Sequence, residues 1–414
     1  MNLKLRASQS HSIESKKIKI TGSKSESNRL LILQQQYPNL QIRNLSNSDD
    51  TVHLTHALES TEETLDIGHA GTAMRFLTAF LANQTGRKTV LTGSKRMKER
   101  PIGILVDALR YLGAQIDYVE NEGYPPLLIH GKSLKGGEVT MDAGVSSQYL
   151  SALLLIGAQM ENGLHLRLSG ELTSRPYLEM TTTMLQEIGL NVNFEDQHIE
   201  IKPQNKIEDM EVTVESDWSS AGYWYGWVAL QPEGYSVQLS AYKEVSLQGD
   251  AQLSAIYKKM GVRTQFGSNE ITLTKIKDFN QPQHLEFDLT EQPDQAQTIF
   301  ATCLGLGIDL KMTGLHTLRI KETDRIAAME VEGTRFRESE ITTTDDTLEI
   351  HFPEDGHFNN LVRIDTYNDH RMALAFAPLC LKTDLIINDA GVVSKSYGDY
   401  WDDLKSVNVD ITEI

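Results

Sequence analysis

The sequence predicts an α/β protein of two similar lobes around a central cleft, each lobe assembled from repeated small subdomains. Three observations carry this. A helix-then-glycine segment recurs at near-constant spacing, a second series of apolar helices recurs out of phase with it, and short β-rich runs fall between them. Strands and helices in regular alternation mark the α/β class. In the first series, VDALRYLGAQIDY, TTTMLQEIGLNVNF, LSAIYKKMGVRTQF and AAMEVEGTRFRE place Gly113, Gly189, Gly261 and Gly333 at spacings of 76, 72 and 72 residues. Glycine just past a helix adopts the left-handed conformation without a Cβ penalty, so each is read as a helix end.

The second series opens with small or polar residues at 70–82, 145–158, 217–230, 293–307 and 368–381, with starts 75, 72, 76 and 75 residues apart. Two interleaved series of one period predict a unit of two helices plus strands, used several times and too long for a thin solenoid repeat. The strands are read at KTVLTG (88–93), PPLLIHG (125–131), LHLRLSG (164–170), VQLSAY (237–242) and EITLTKI (270–276). The Pro- and Gly-bearing run QPEGYS (231–236) is taken as one crossing between lobes and Ile20–Ser23 as the other. The predicted division is 1–21 plus 236–414 as one discontinuous lobe, and 22–235 as the middle lobe.

Composition narrows the function. With 29 Gly and 11 Pro in 414 residues, a collagen-like or low-complexity chain is excluded. The balance of 39 basic against 57 acidic residues, a net charge of −18, argues against nucleic acid as a partner. No apolar run approaches the roughly 20 residues of a membrane span, and the opening residues lack a secretory apolar core. Cys303 and Cys380 are too few for a disulfide framework and lack metal-ligand spacing. A soluble, cytoplasmic, monomeric protein without metal is expected. Against so acidic a background, any anion must be met where Lys and Arg gather locally.

They gather at helix starts, where unpaired N–H groups and the macrodipole already favour anions. In TGSKSESNRLLIL, Ser23 and Glu26 form a capping box, with Lys24, Ser25 and Arg29 around the first turns. HAGTAMRF offers Gly71 for close backbone approach and Arg75 one turn on. KRMKERP concentrates Lys95, Arg96, Lys98 and Arg100. VSSQ and LTSRPY supply Ser146, Ser147, Gln148, Ser174 and Tyr177 as neutral hydrogen-bonding groups. In the C-terminal half QPDQAQTIF puts Asp294 at a helix start. RIKETDRI is read as a helix with Lys321 and Arg325 on one face and Glu322 on the adjoining one. YNDHRMALAF places His370 and Arg371 before an apolar helix, and VVSKSYGDY contributes Lys395. Taken singly each is an ordinary cap or surface charge. Together they describe a polyanion site with carboxylates near enough to move protons.

The ordered set GSKSESNR, AGTAMR, RMKERPI, VSSQ, PD, KETDR and NDHRMA resembles the enolpyruvyl transferases, on their shikimate-using branch, from about residue 20 to 400. The resemblance implies two lobes of three βαβαββ units each, an inside-out α/β barrel joined by two crossings. It implies that the 5-hydroxyl of shikimate 3-phosphate attacks C2 of phosphoenolpyruvate while C3 gains a proton. Phosphate then leaves, with no cofactor. Carried over residue by residue, Lys24, Gly71, Arg100, Gln148, Arg325, Arg371 and Lys395 would bind phosphoenolpyruvate. Ser25, Arg29, Ser146, Ser147, Gln148, Ser174, Asp294 and Lys321 would bind shikimate 3-phosphate, with Tyr177 beside its ring. Arg75, Thr317 and His370 are further candidates. Asp294 would take the hydroxyl proton, and Glu322, assisted by Lys24, would give a proton to C3 and take one back.

Three positions depart from the family pattern. His69 stands where most members have Asn, Phe76 where they have Pro, and Thr317 where a substrate-contacting Asn is usual. The departures bear on the shape of the phosphoenolpyruvate pocket. A UDP-N-acetylglucosamine enolpyruvyl transferase would usually carry a reactive Cys in the lid segment, and KRMKERP has none. An ATP-dependent kinase using TGSKS would require nucleotide, and a non-catalytic anion binder would have no use for Asp294 and Glu322.

Overall fold

Helices form where small and apolar residues recur at helical spacing. In the computed structural model, which describes residues 1–7, 16–144, 146–170, 175–353 and 356–414, the out-of-phase series is realised as Gly71–Ala82, Ser147–Gly157, Trp218–Ala229, Ala296–Leu306 and His370–Phe376. Gly71–Ala82 and His370–Phe376 are buried at every position, the mark of interior helices. The glycine-terminated series is Gly103–Tyr111, Arg175–Glu187, Leu253–Lys258 and Arg325–Gly333. Gly113, Gly189 and Gly261 end their helices at φ +106°, +85° and +82°. Gly333 does not. It is the last residue of its helix, and a Cβ there would come within 2.6 Å of Phe300 Cζ and 2.9 Å of Ile341 Cδ1. Its lack of a side chain serves close packing, not a turn.

Each helix pair lies within one βαβαββ unit. Thr64–Asp66 runs parallel to Lys88–Thr92, which pairs antiparallel with Leu127–His130, and that strand with Gln115–Tyr118. The first, parallel pair requires a crossover, which the interior helix provides. The same order recurs in Gly137–Asp142, Leu164–Ser169, His198–Ile201 and Val192–Glu195, and again from His284–Asp288 through Asp309–Thr313 and Leu348–His351 to Glu340–Thr343. Two sheets borrow strands from far along the chain. Lys16–Ile18 lies beside Ser236–Ser240, and Leu3–Ala7 fits between Asp384–Ile387 and Val409–Glu413. Among the described residues the sixth unit keeps two strands, Met210–Thr213 parallel to Leu40–Arg43.

The chain divides into two compact units, Met1–Thr21 with Glu215–Ile414, and Gly22–Val214. The second division therefore precedes QPEGYS instead of lying at 235/236. The reason is aromatic burial. Helix Trp218–Ala229 packs Trp218 against Tyr242, Tyr225 against Tyr257 and Tyr223 against Tyr400, at ring-centroid distances of 4.9, 5.1 and 5.9 Å. All these partners belong to the discontinuous unit, and QPEGYS is an ordinary turn within it. Gly22 begins the other unit and packs so closely within it that a Cβ there would overlap the Asn44 carbonyl oxygen. Cys303 and Cys380 are buried and unpaired, and no described helix is long and apolar enough to cross a membrane.

One carboxylate in the aromatic cluster has a measurable consequence. Tyr397 donates to Asp403 Oδ2 at 2.7 Å and accepts from Trp224 Nε1 at 3.1 Å. Burial pushes Asp403 up to about 6, against the lowering effect of the Tyr397 hydrogen bond. The folded state thus holds this proton to higher pH than an unfolded Asp at about 3.9. The stabilisation is present below about pH 4 and lost as pH rises through about 6. Asp403→Asn is expected to raise the melting temperature at pH 7.5 and leave it unchanged near pH 4. Equal shifts at both pH values would show that packing, not charge, is responsible.

Candidate functional site

In the unit Gly22–Val214 the helix Lys24–Gln36 starts where Ser23 Oγ accepts the Glu26 N–H at 3.4 Å, leaving Lys24 and Ser25 half-buried in the first turn. Arg29 turns inward and is 2% exposed. Its Nε donates to Thr181 Oγ1 at 2.7 Å, Nη1 to the Ser25 carbonyl at 2.8 Å and Nη2 to Ser151 Oγ at 3.1 Å. The guanidinium lies 5.4 Å from the Phe76 ring centroid, so Phe76 forms a floor under it. Burial lowers Arg29 to about 10, which leaves it charged at neutral pH.

A second cationic locus forms at Gly71. Arg75 Nη1 donates to the Gly71 carbonyl at 2.9 Å and to Gln148 Oε1 at 2.8 Å, and its guanidinium lies over Tyr149. A Cβ on Gly71 would be 2.8 Å from Arg100 Nη1 and 3.0 Å from Arg75 Nη1, so only glycine lets both guanidinia approach this helix start. Burial and then the like charge of Arg100 lower Arg75. An anion placed there relieves that repulsion. Of the KRMKERP cations, Arg96 and Lys98 turn to Glu99 and Glu120 instead. Ser146 is the N-cap of Ser147–Gly157 yet makes no side-chain capping bond, Ser147 is buried, and Tyr177 is half-buried on Arg175–Glu187. His69 Nδ1 lies 2.9 Å from Ser94 Oγ. Ser174 lies outside the described residues.

In the discontinuous unit the charges converge on Arg325, whose side chain is 2% exposed. Its Nε meets Asp369 Oδ2 at 2.7 Å, Nη1 meets Asp294 Oδ1 at 2.8 Å and Nη2 meets Glu322 Oε2 at 2.8 Å. Arg371 Nη2 reaches Asp294 Oδ2 at 3.1 Å and its Nη1 donates to the Asp294 carbonyl, while Lys321 Nζ lies 3.6 Å from Asp294 Oδ1. Burial opposes the charge on Glu322, but Arg325 and then His370 outweigh it and hold the carboxyl well below the usual carboxylate range. Arg371 is raised against its own burial by Asp294 and its other anionic neighbours.

The backbone aims this cluster in ways the sequence pattern hides. Residues 321–324 are not helical. His316–Ile320 is a 3₁₀ turn, and helix Arg325–Gly333 starts at Arg325 because Asp324 caps it, accepting the Ala327 N–H at 3.0 Å. Lys321 and Arg325 therefore share no helix face, and they meet at Asp294 because the intervening loop folds back. Tyr367 and Asn368 are both left-handed, at φ +53° and +58°. Tyr367 Oη is anchored on Glu332 at 2.6 Å, and Lys395 Nζ donates to the Asn368 carbonyl at 2.6 Å. Straight after this turn Asp369, fully buried, caps the helix His370–Phe376 by accepting the Arg371 N–H at 2.9 Å. His370 is buried beside it, and Thr317 Oγ1 is buried without a hydrogen-bond partner among the described residues.

Sequence reasoning missed Asp369, and also Asp250 and Ser219, whose carboxylate and hydroxyl hydrogen-bond each other beside Arg371. An Asp directly before an apolar helix was a signal for the first. Asp250 and Ser219 carry none, since their neighbours in space are distant in sequence. Among the described residues no group of three His, Cys, Asp or Glu side chains is arranged to hold a metal ion.

Comparison with known proteins identifies the family. The family model for EPSP synthase (3-phosphoshikimate 1-carboxyvinyltransferase) matches residues 57–404. A 3-phosphoshikimate 1-carboxyvinyltransferase of Bacteroides fragilis is 43% identical over 397 residues, covering 95% of each chain, and one of Aliivibrio salmonicida is 35% identical over 429 residues, covering 95% of this chain and 96% of that one. In fold, an EPSP synthase from Acinetobacter baumannii superposes with TM-score 0.76 over the whole of both chains at 21% identity. The enolpyruvyl transferase NikO from Streptomyces tendae superposes at 0.72 with 15% identity, over 99% of this chain and 98% of that one. With the family pattern running from residue 57 to 404 and a relative so similar along nearly its entire length, the chain belongs to the EPSP synthase family, the 3-phosphoshikimate 1-carboxyvinyltransferases.

Proposed function

We propose that this enzyme transfers the enolpyruvyl group of phosphoenolpyruvate to the 5-hydroxyl of shikimate 3-phosphate and releases phosphate. The observation that carries the reading is the placement of Asp294 and Glu322, each 2.8 Å from one buried guanidinium and backed by Arg371 and Lys321. Two carboxylates bridged by one guanidinium suit a reaction that needs a base at one atom and an acid at another.

In the addition step Asp294 takes the hydroxyl proton as oxygen bonds to C2, and Glu322 delivers a proton to C3. In the elimination step Glu322 removes a proton from C3, the double bond re-forms, and the C2–O bond to phosphate breaks. Lys24, Gly71, Arg100, Gln148, Arg325, Arg371 and Lys395 are assigned to phosphoenolpyruvate, and Arg75 is a further candidate beside Gly71. Ser25, Arg29, Ser146, Ser147, Ser174 and Lys321 are assigned to shikimate 3-phosphate, with Tyr177 beside its ring. His370, which acts electrostatically on Glu322, and Thr317 are further candidates. Fixed cations around both substrates lower the barrier by meeting charge as it develops and by holding the reactants in line. We place the enzyme in the cytoplasm as a monomer, in keeping with two buried free thiols, which suit a reducing compartment.

The test mixes purified protein with shikimate 3-phosphate and phosphoenolpyruvate, without nucleotide or added metal. One phosphate released per enol ether formed is the expected result. No turnover under these conditions would overturn the proposal.

A further inference from the structure

We propose that Asp250 is a positioning residue for the reaction, fixing Asp294 through Gln295 and Arg371 through Ser219; the inference rests on the activity proposed above. Asp250 lies in the 3₁₀ turn Gly249–Gln252, far along the chain from both residues it would serve. One of its oxygens, Oδ2, receives two donors, the Ser219 hydroxyl and Gln295 Nε2, the latter at 2.7 Å.

Gln295 directly follows Asp294 and is fully buried, so its hydrogen bond fixes the backbone from which the Asp294 carboxylate projects. Room for it comes from Gly222, where a Cβ would lie 2.7 Å from Gln295 Oε1. Ser219 has its proton committed to Asp250, which leaves its lone pairs as the acceptor for Arg371 Nη2 at 3.4 Å. Asp250 thus sets the direction of that hydroxyl. Reversed, the hydroxyl would point a donor at a guanidinium that can only donate. Arg371 in turn holds Asp294 at both its carbonyl and its carboxylate. Asp250 therefore reaches the proposed base by two independent routes, one through the backbone and one through the cation.

The two routes separate experimentally. Ser219→Ala is expected to raise KM for phosphoenolpyruvate about tenfold, as the loss of one hydrogen bond to the charged group that binds it would, with a fall in kcat smaller than that of Gln295→Leu because Arg371 still reaches Asp294. Gln295→Leu is expected to lower kcat about tenfold with that KM unchanged, by misplacing the base. Asp250→Ala should show both effects, with KM for shikimate 3-phosphate within about twofold of wild type, and Asp250→Asn, which keeps an acceptor oxygen, should restore most of the loss. If Asp250→Ala does not fold, Ser219→Ala and Gln295→Leu carry the test. Wild-type kinetics in the variants, or both KM values rising together with kcat unchanged, would overturn the positioning role. A silent wild-type enzyme would overturn the reaction itself, so the two failures are distinguishable.

Discussion

Glu322→Gln is expected to lower kcat by roughly 10²- to 10⁴-fold while shikimate 3-phosphate still binds, the usual span for removing a general acid–base group. Gln keeps the shape and can still accept from Arg325 Nη2, which Glu322 meets at 2.8 Å, so the local structure should survive. In the free protein Arg325 and His370 keep Glu322 ionised, against its burial, across neutral pH. It is therefore ready as the base of the elimination step. To act as the acid of the addition step it must first be raised, and two polyanionic substrates beside it shift it in that direction. Steady-state kinetics with calorimetric binding of shikimate 3-phosphate decides the matter. Loss of binding along with turnover would make Glu322 structural.

Arg325→Leu is expected to abolish turnover and to destabilise the discontinuous unit by about 3–5 kcal/mol, the typical cost of leaving a buried charge without its partner. The stranded group is Asp369, which is fully buried and 2.7 Å from Arg325 Nε. All four tryptophans, at 218, 224, 227 and 401, lie in this unit, so their fluorescence during urea unfolding reports on it alone. The double variant Arg325→Leu, Asp369→Leu should recover part of the stability and none of the activity, because a well-packed apolar pair replaces a buried ion pair at little cost. Unchanged unfolding in the single variant would mean that Asp369 finds another partner.

Much of this architecture was legible because local rules and tertiary packing agree. The interior helices fall where small and apolar residues recur, and three of the four glycine ends adopt the left-handed turn. Where the reading failed, tertiary packing decided. QPEGYS looks equally like a turn inside a unit and a crossing between units, and the choice was made by where Trp218, Tyr223 and Tyr225 find aromatic partners. Lys321 and Arg325 carry helical spacing, yet the cap at Asp324 starts the helix only after it. In the site the motif residues were legible as anion-receptive helix starts. Half-buried Asp250 was not, since a carboxylate's worth depends on which partners it meets across the fold.

The threading of strand Leu3–Ala7 between Asp384–Ile387 and Val409–Glu413 constrains the order of events during synthesis. The unit Gly22–Val214 holds all its described strands in one contiguous stretch, so it can consolidate while the ribosome is still translating. The other unit must keep strand Leu3–Ala7 unpaired until Asp384–Ile387 and Val409–Glu413 have been synthesised, an interval of exposed sheet edge during which a holding chaperone would have its clearest target.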